Sequence, residues 1–265
     1  MTDFSWMQFA LLWGMGIFGA IAVIPYAFNM QRELLAEAPM PLWKIALLSS
    51  LQTGVLLAIL IGLGLLLSQQ TGLGTPLLSA LLAGESLATL RDALPLIVML
   101  GLGGTFAMLT LEFGIFQKHL PQKMREQSKN IPIWQRLLAS FYGGITEEII
   151  VRLFVMNLLA WLLGFVWSTE PGLPSTEAIW LANFGAAIIF GLLHLPATKA
   201  LAGKITPMLF VRAILLNGIG GVIFGYLYWR YGLLAAMVAH FSFDIALHVV
   251  TPFFTKASSR SPAHN

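Results

Sequence analysis

The chain has 265 residues, of which 57% are hydrophobic and only 10% charged, too little polar surface for a water-soluble globule; it reads as one polytopic membrane domain. There is no cysteine, which excludes disulfides, thiolate metal sites and cysteine nucleophiles together. The net charge of +3 comes from basic residues that flank apolar segments and form no continuous stripe, which suits membrane orientation and excludes nucleic acid as the partner.

Taken in order, apolar runs fall at about 6–28, 42–67, 93–116, 137–163, 178–196, 207–229 and 232–254, most of them near or above the ~20 residues that a transmembrane helix needs. The expected fold is therefore an all-α, polytopic membrane helix bundle of about seven transmembrane helices. The first run follows Met1-Thr2-Asp3 with no basic segment and is longer than a signal-peptide core, so it is expected to be a retained span. The connection from Asn29 to Pro41 is short and polar. The glycine-rich stretch from Ser68 to Leu94 has room for an amphipathic piece around Leu77–Leu82, and an eighth helix would come from here or from a re-entrant piece. Gln117 to Gln135 is the basic loop, and Gly164 to Glu177 has two prolines and no Lys or Arg. Arg230-Tyr231-Gly232 is a tight reversal with glycine where a helix can stop, which makes the last two spans antiparallel neighbours. Gly14, Gly16 and Gly19, and the spacing of Gly221 and Gly225, predict close helix packing.

Seven spans put every second loop on one side. Arg32, Lys44, Lys118, Lys123, Arg125, Lys129, Arg136, Lys199, Lys204, Lys256 and Arg260 then share a side, and Arg91 and Arg230 lie opposite. By the positive-inside rule the N-terminus is outside and the C-terminus cytoplasmic, as expected for a bacterial inner-membrane protein. Residues 1–254 form the membrane domain and 255–265 a polar cytoplasmic tail.

The fourth run contains Gly143-Gly144-Ile145-Thr146-Glu147-Glu148-Ile149-Ile150-Val151-Arg152. A charge at the centre of a bilayer costs about 2–4 kcal/mol unless it is paired, hydrated or turned to the protein interior. On a helix Glu148 and Arg152 stand at i, i+4 and can pair, as a clamp on their own helix. Glu147 is rotated about 100° away from Glu148 and is left as the spare carboxylate, suited to be a general base.

Three further polar residues fall at membrane depth. His194 closes the fifth span, and His240, Asp244 and His248 share one stripe of the seventh at i, i+4, i+8. Glu147 lies about 16 Å from one face and Asp244 about 18 Å from the other, at 1.5 Å per residue, so in a core about 30 Å thick they approach one level. A site in the inner half of the membrane, open to the cytoplasm, accommodates Glu147, His194, His240 and Asp244. Glu112 and Arg212 are read as structural residues that snorkel to the cytoplasmic face, and His248 as helix packing or as a residue supporting the site from behind.

Glu147-Glu148-x-x-x-Arg152, Phe190-x-x-x-His194 and His240-x-x-x-Asp244 resemble the three-motif signature of the CPBP family, the CAAX-protease and bacteriocin-processing, Abi-like intramembrane endopeptidases. The resemblance covers about residues 140–250. It implies hydrolysis of a peptide bond in a membrane-associated protein or peptide beside the bilayer. Glu147 and His194 would activate the water, His240 and Asp244 would stabilise the oxyanion, and Glu148 and Arg152 would support them. The prenyl-protease branch has Asn at the position of Asp244, so Asp points to the broader bacterial branch. An ionised Asp only accepts hydrogen bonds, and must be protonated to serve an oxyanion, or else orient His240 or help hold a metal.

No cofactor is required by this chemistry, because a buried carboxylate and an imidazole can take a proton from water as it attacks. Zinc is the alternative, with Glu147, His194, His240 and Asp244 as its ligand set, although the chain has no H-E-x-x-H. Only Asp244 among the aspartates is deep, which disfavours an aspartyl protease, and no G-x-S-x-G is present. From other classes, a proton-coupled carrier would use the same cluster as a relay, and a silent immunity or scaffold protein would keep the fold alone. Unequal halves without inverted repeats count against the carrier.

Overall fold

Ser5 opens the first helix by accepting a hydrogen bond from the Gln8 amide, 3.3 Å. The structure is a computed structural model, and it describes residues 4–122, 124–125, 131–170 and 173–252. The first helix, α1, runs Trp6–Met30, with a break at Val23 just before Pro25, which has no amide hydrogen to continue the ladder. A short turn of helix, Arg32–Ala36, follows. Next come α2 (Leu42–Thr71), closed by Gly72 in the left-handed region, the seven-residue α3 (Pro76–Leu82), and α4 (Ala88–His119). Residues 133–164 form one continuous helical run, α5, in which Tyr142–Glu147 and Ile149–Met156 are wound as wide π turns.

A two-stranded hairpin, β1 (Ser168–Glu170) against β2 (Leu173–Pro174), separates α5 from α6 (Thr176–Ala202). The chain ends in α7 (Pro207–Tyr231) and α8 (Leu233–Val250), the latter finishing in a π segment, Ile245–Val250. Gly232 makes the reversal between them with φ 86°, and the Leu233 amide reaches back to the Gly74 carbonyl, 3.2 Å.

Among the described residues six helices, α1, α2, α4, α6, α7 and α8, are long and apolar enough to cross a membrane. The seventh expected span is α5, which is as long but carries Arg136, Glu147, Glu148 and Arg152. The protein is a polytopic helical bundle. Large apolar side chains face outward along the spans, among them Leu51, Val55 and Ile59 on α2 and Met99, Leu102 and Phe106 on α4, as a lipid-facing surface requires.

Helices α5 and α8 lie at the centre. The start of α5 packs on α1 and α8, its middle on α2 and α6, and α8 is enclosed by α4, α5 and α7. Small residues set these distances. A methyl group added at Gly64 would meet the Leu153 carbonyl at 2.5 Å, and one at Gly101 the Ala239 carbonyl at 2.5 Å. Thr146 ties α5 to α1 by donating to the Gly16 carbonyl, 2.9 Å. The shared core includes Leu57, Ile149, Leu153, Phe224, Ala236 and Ala239.

Several expectations need correction. The long second connection holds α3, as its leucines suggested, but seven residues are too short to cross a bilayer, so it supplies no eighth span. The helix of the fifth span does not end at Pro196: it bends at His194 and continues to Ala202, because proline is tolerated in the first turn of the new segment. Gly221 and Gly225 face Ala187 and Asn183 at close range, and Gly16 meets Leu57, but nothing lies within 4 Å of a methyl group placed at Gly14. Glu112 and Arg212 pair with each other, 2.8 and 3.0 Å, instead of snorkelling separately. The tail 255–265 lies outside the described residues.

Candidate active site

Glu148 is the most enclosed charge in the molecule's centre, and it holds two partners. Arg152 Nε donates to Glu148 Oε2 at 3.1 Å, one turn away on α5, with both side chains fully buried. His240 Nδ1, from α8, donates to the other oxygen, Oε1, at 2.8 Å. A buried carboxylate is tolerated when its lone pairs are taken up by charged donors, and here one cation and one imidazole do so from two helices. The i, i+4 pair was legible from spacing. The bond to His240 was not, since it joins residues 92 positions apart.

That bond decides how His240 presents itself. With Nδ1 committed to Glu148, the tautomer is set and Nε2 is left for chemistry. Nε2 stands 3.9 Å from Glu147 Oε2 and 3.8 Å from Asp244 Oδ1. The ring is fixed by Phe224, stacked at 4.4 Å between centroids and 18° between planes, and by Phe190, edge-on at 5.8 Å. Neither phenylalanine is found by searching for polar residues, although Phe190 opens the Phe190-x-x-x-His194 motif.

Gly143 completes this arrangement. A methyl group there would run into Asp244 Oδ2 and come within 3.1 Å of His240 Nε2. At Gly144 it would lie 3.0 Å from Phe241 Cβ and 3.2 Å from the Met237 carbonyl. The glycine doublet therefore lets the backbone of α5 lie directly against the stripe of α8 that carries the histidine and the aspartate.

Glu147 has its side chain 19% exposed and Glu148 none, so of the two adjacent glutamates only Glu147 reaches open space. His194 sits at the bend of α6, where its Nδ1 donates to the Phe190 carbonyl at 2.8 Å, leaving Nε2 free. Its ring packs edge-on against the same Phe190 ring that touches His240, at 4.7 Å. Among the described residues no hydrogen bond or ion pair joins His194 to Glu147, His240 or Asp244, so Glu147 has His240, not His194, as its nearest imidazole. His248 Nε2 lies 3.9 Å from Asp244 Oδ1, behind the site residue that shares its stripe.

Among the described residues, no three His, Asp or Glu side chains are gathered so as to hold a metal ion. Of the expected zinc ligands, His240 uses one nitrogen on Glu148, and His194 packs on the Phe190 ring that also touches His240.

The family model described as type II CAAX prenyl endopeptidase Rce1-like matches residues 129–246. That segment resembles the Rce1-like family. The match takes in all of Glu147, Glu148, Arg152, His194, His240 and Asp244, the residues that carry the resemblance to the CPBP family. The matched segment is thus similar to a family described as membrane endopeptidases. No curated protein and no solved structure gives a match to the chain.

Proposed function

We propose that the chain is an intramembrane endopeptidase that cleaves a membrane-associated protein or peptide with water activated by a glutamate and a histidine. The observation that supports this most is the position of His240 Nε2, 3.9 Å from Glu147 and 3.8 Å from Asp244, close enough for all three groups to share one water or one substrate oxygen. In this reading Glu147, the partly open carboxylate, takes a proton from the attacking water. His194, with Nδ1 tied to a carbonyl and Nε2 free, takes part in moving that proton to the departing amine. His240, protonated on Nε2 as well as on the Nδ1 that Glu148 holds, donates from Nε2 to the oxyanion of the tetrahedral intermediate, and Arg152 keeps Glu148 in place. Asp244, protonated, is the second donor.

A crevice of about 280 Å³ lies between α1 and α2. Val23, Ile24 and Ala27 of α1 and Ile45, Ser49 and Thr53 of α2 line it, together with Tyr142, the neighbour of Gly143. It opens beside the loops expected to face the cytoplasm.

The reading requires no metal ion. The test is cleavage of a peptide library, with prenylated and unprenylated arms, by wild type and Glu147→Ala, each with chelator and with added zinc. Cleavage by wild type that survives the chelator and is lost in the variant is expected. Equal cleavage by both proteins contradicts the assignment of Glu147, and loss of wild-type cleavage on chelation, restored by zinc, replaces the mechanism with a metal-dependent one.

A further inference from the structure

Asp244 is held from three sides, and one of them plays no part in the reading above. Its Oδ2 is pressed against the backbone of Gly143. Its Oδ1 faces two imidazole nitrogens, His240 Nε2 at 3.8 Å and His248 Nε2 at 3.9 Å. His248 belongs to the π segment Ile245–Val250 that begins directly after Asp244, and its ring is backed by Tyr26 of α1 at 6.5 Å. The His248 side chain is 33% exposed, against 5% for His240, so Asp244 lies between an inner and an outer histidine.

We infer that His248 is a positioning residue for the reaction: by donating to Asp244 Oδ1 from the outer side, it holds the carboxyl group against Gly143 and turned toward His240. The inference rests on the reading of Asp244 as part of the active site. Both approaches are longer than a hydrogen bond by about 1 Å, so a small side-chain shift when substrate enters converts them into bonds. The need for such a residue follows from the side chain at position 244. An asparagine carries its donor and acceptor on fixed atoms, whereas a protonated carboxyl group can carry its proton on either oxygen, and an N–H donated to Oδ1 keeps that oxygen the acceptor. His248 singles out Oδ1.

The experiment compares His248→Leu, which removes the donor, with His248→Gln, which keeps an N–H at similar reach, in full-length protein purified in detergent, alongside Glu147→Gln. Rates are taken per folded molecule at saturating substrate. His248→Leu is expected to lower kcat about tenfold, the size of one lost hydrogen bond, with KM and melting temperature little changed, while His248→Gln retains most of the rate. In an Asp244→Asn background with measurable activity, His248→Leu should add less than a twofold loss. Wild-type kcat in His248→Leu, or equal losses in the Leu and Gln variants, overturns the inference; where Asp244→Asn is itself inactive, the Leu and Gln pair decides alone. An active Glu147→Gln would instead overturn the reading of the site, which keeps the two failures apart.

Discussion

Glu148 shows how one side chain can be clamp and support at once. Its pairing with Arg152 follows from a four-residue spacing on a helix, but the second bond, to His240, makes the same carboxylate the anchor of an imidazole on another span. Local spacing revealed the first because both groups ride on one element; the second depends on how α5 and α8 are placed, which no single segment encodes. Arg152 is fully buried, and among the described residues neither terminal nitrogen of its guanidinium has a hydrogen-bond partner. Arg152→Ala leaves Glu148 as a buried carboxylate with His240 alone, and removing one member of a buried pair costs about 3–5 kcal/mol. The expected outcome is a lower folded yield and a lower melting temperature in detergent, together with reduced activity. A variant as stable as wild type would show that Glu148 does not depend on the arginine.

At the scale of elements, the apolar runs located the helices well because a membrane span is announced by length and composition, both visible in any window of the chain. What they could not show was where helices bend and touch. The π turns at Tyr142–Glu147 and Ile149–Met156 lie in the helix that carries both glutamates, and a third lies after Asp244. Wide turns of this kind collect at functional sites, since each alters the rotation of the side chains that follow. Glycines divide in a similar way. Gly14 and Gly225 look alike in sequence, but a methyl group at Gly225 would run into the Asn183 amide, while at Gly14 it would meet nothing within 4 Å. Gly225→Ala should therefore destabilise by about 1–3 kcal/mol through overpacking between α6 and α7, and Gly14→Ala should change stability by less than about 0.5 kcal/mol. Thermal unfolding of the two variants checks this, and equal effects would contradict the packing described.

For the whole molecule, the candidate site was legible as a set of residue types at one depth, and the structure brings Glu147, Glu148, Arg152, His240 and Asp244 together, with His194 and His240 both packed on the Phe190 ring. The expected orientation rests on the distribution of Lys and Arg. The absence of cysteine allows a direct test, since a single cysteine introduced at Ser86 or at Lys204 has no competitor. Impermeant thiol reagent should label Ser86→Cys on intact cells and Lys204→Cys only after permeabilisation; the reverse pattern would invert the topology and place the crevice at the outer face. The central claim is that two adjacent glutamates have different tasks, one at the open side of His240 and the other buried behind it. Glu147→Gln keeps size and hydrogen bonding but cannot take a proton, so single-turnover cleavage by folded protein should fall by about 10²–10⁴-fold, as for a lost general base. Glu148→Gln should reduce stability and leave a measurable rate. Full activity in Glu147→Gln beside an inactive, folded Glu148→Gln would contradict the account and reverse the two roles.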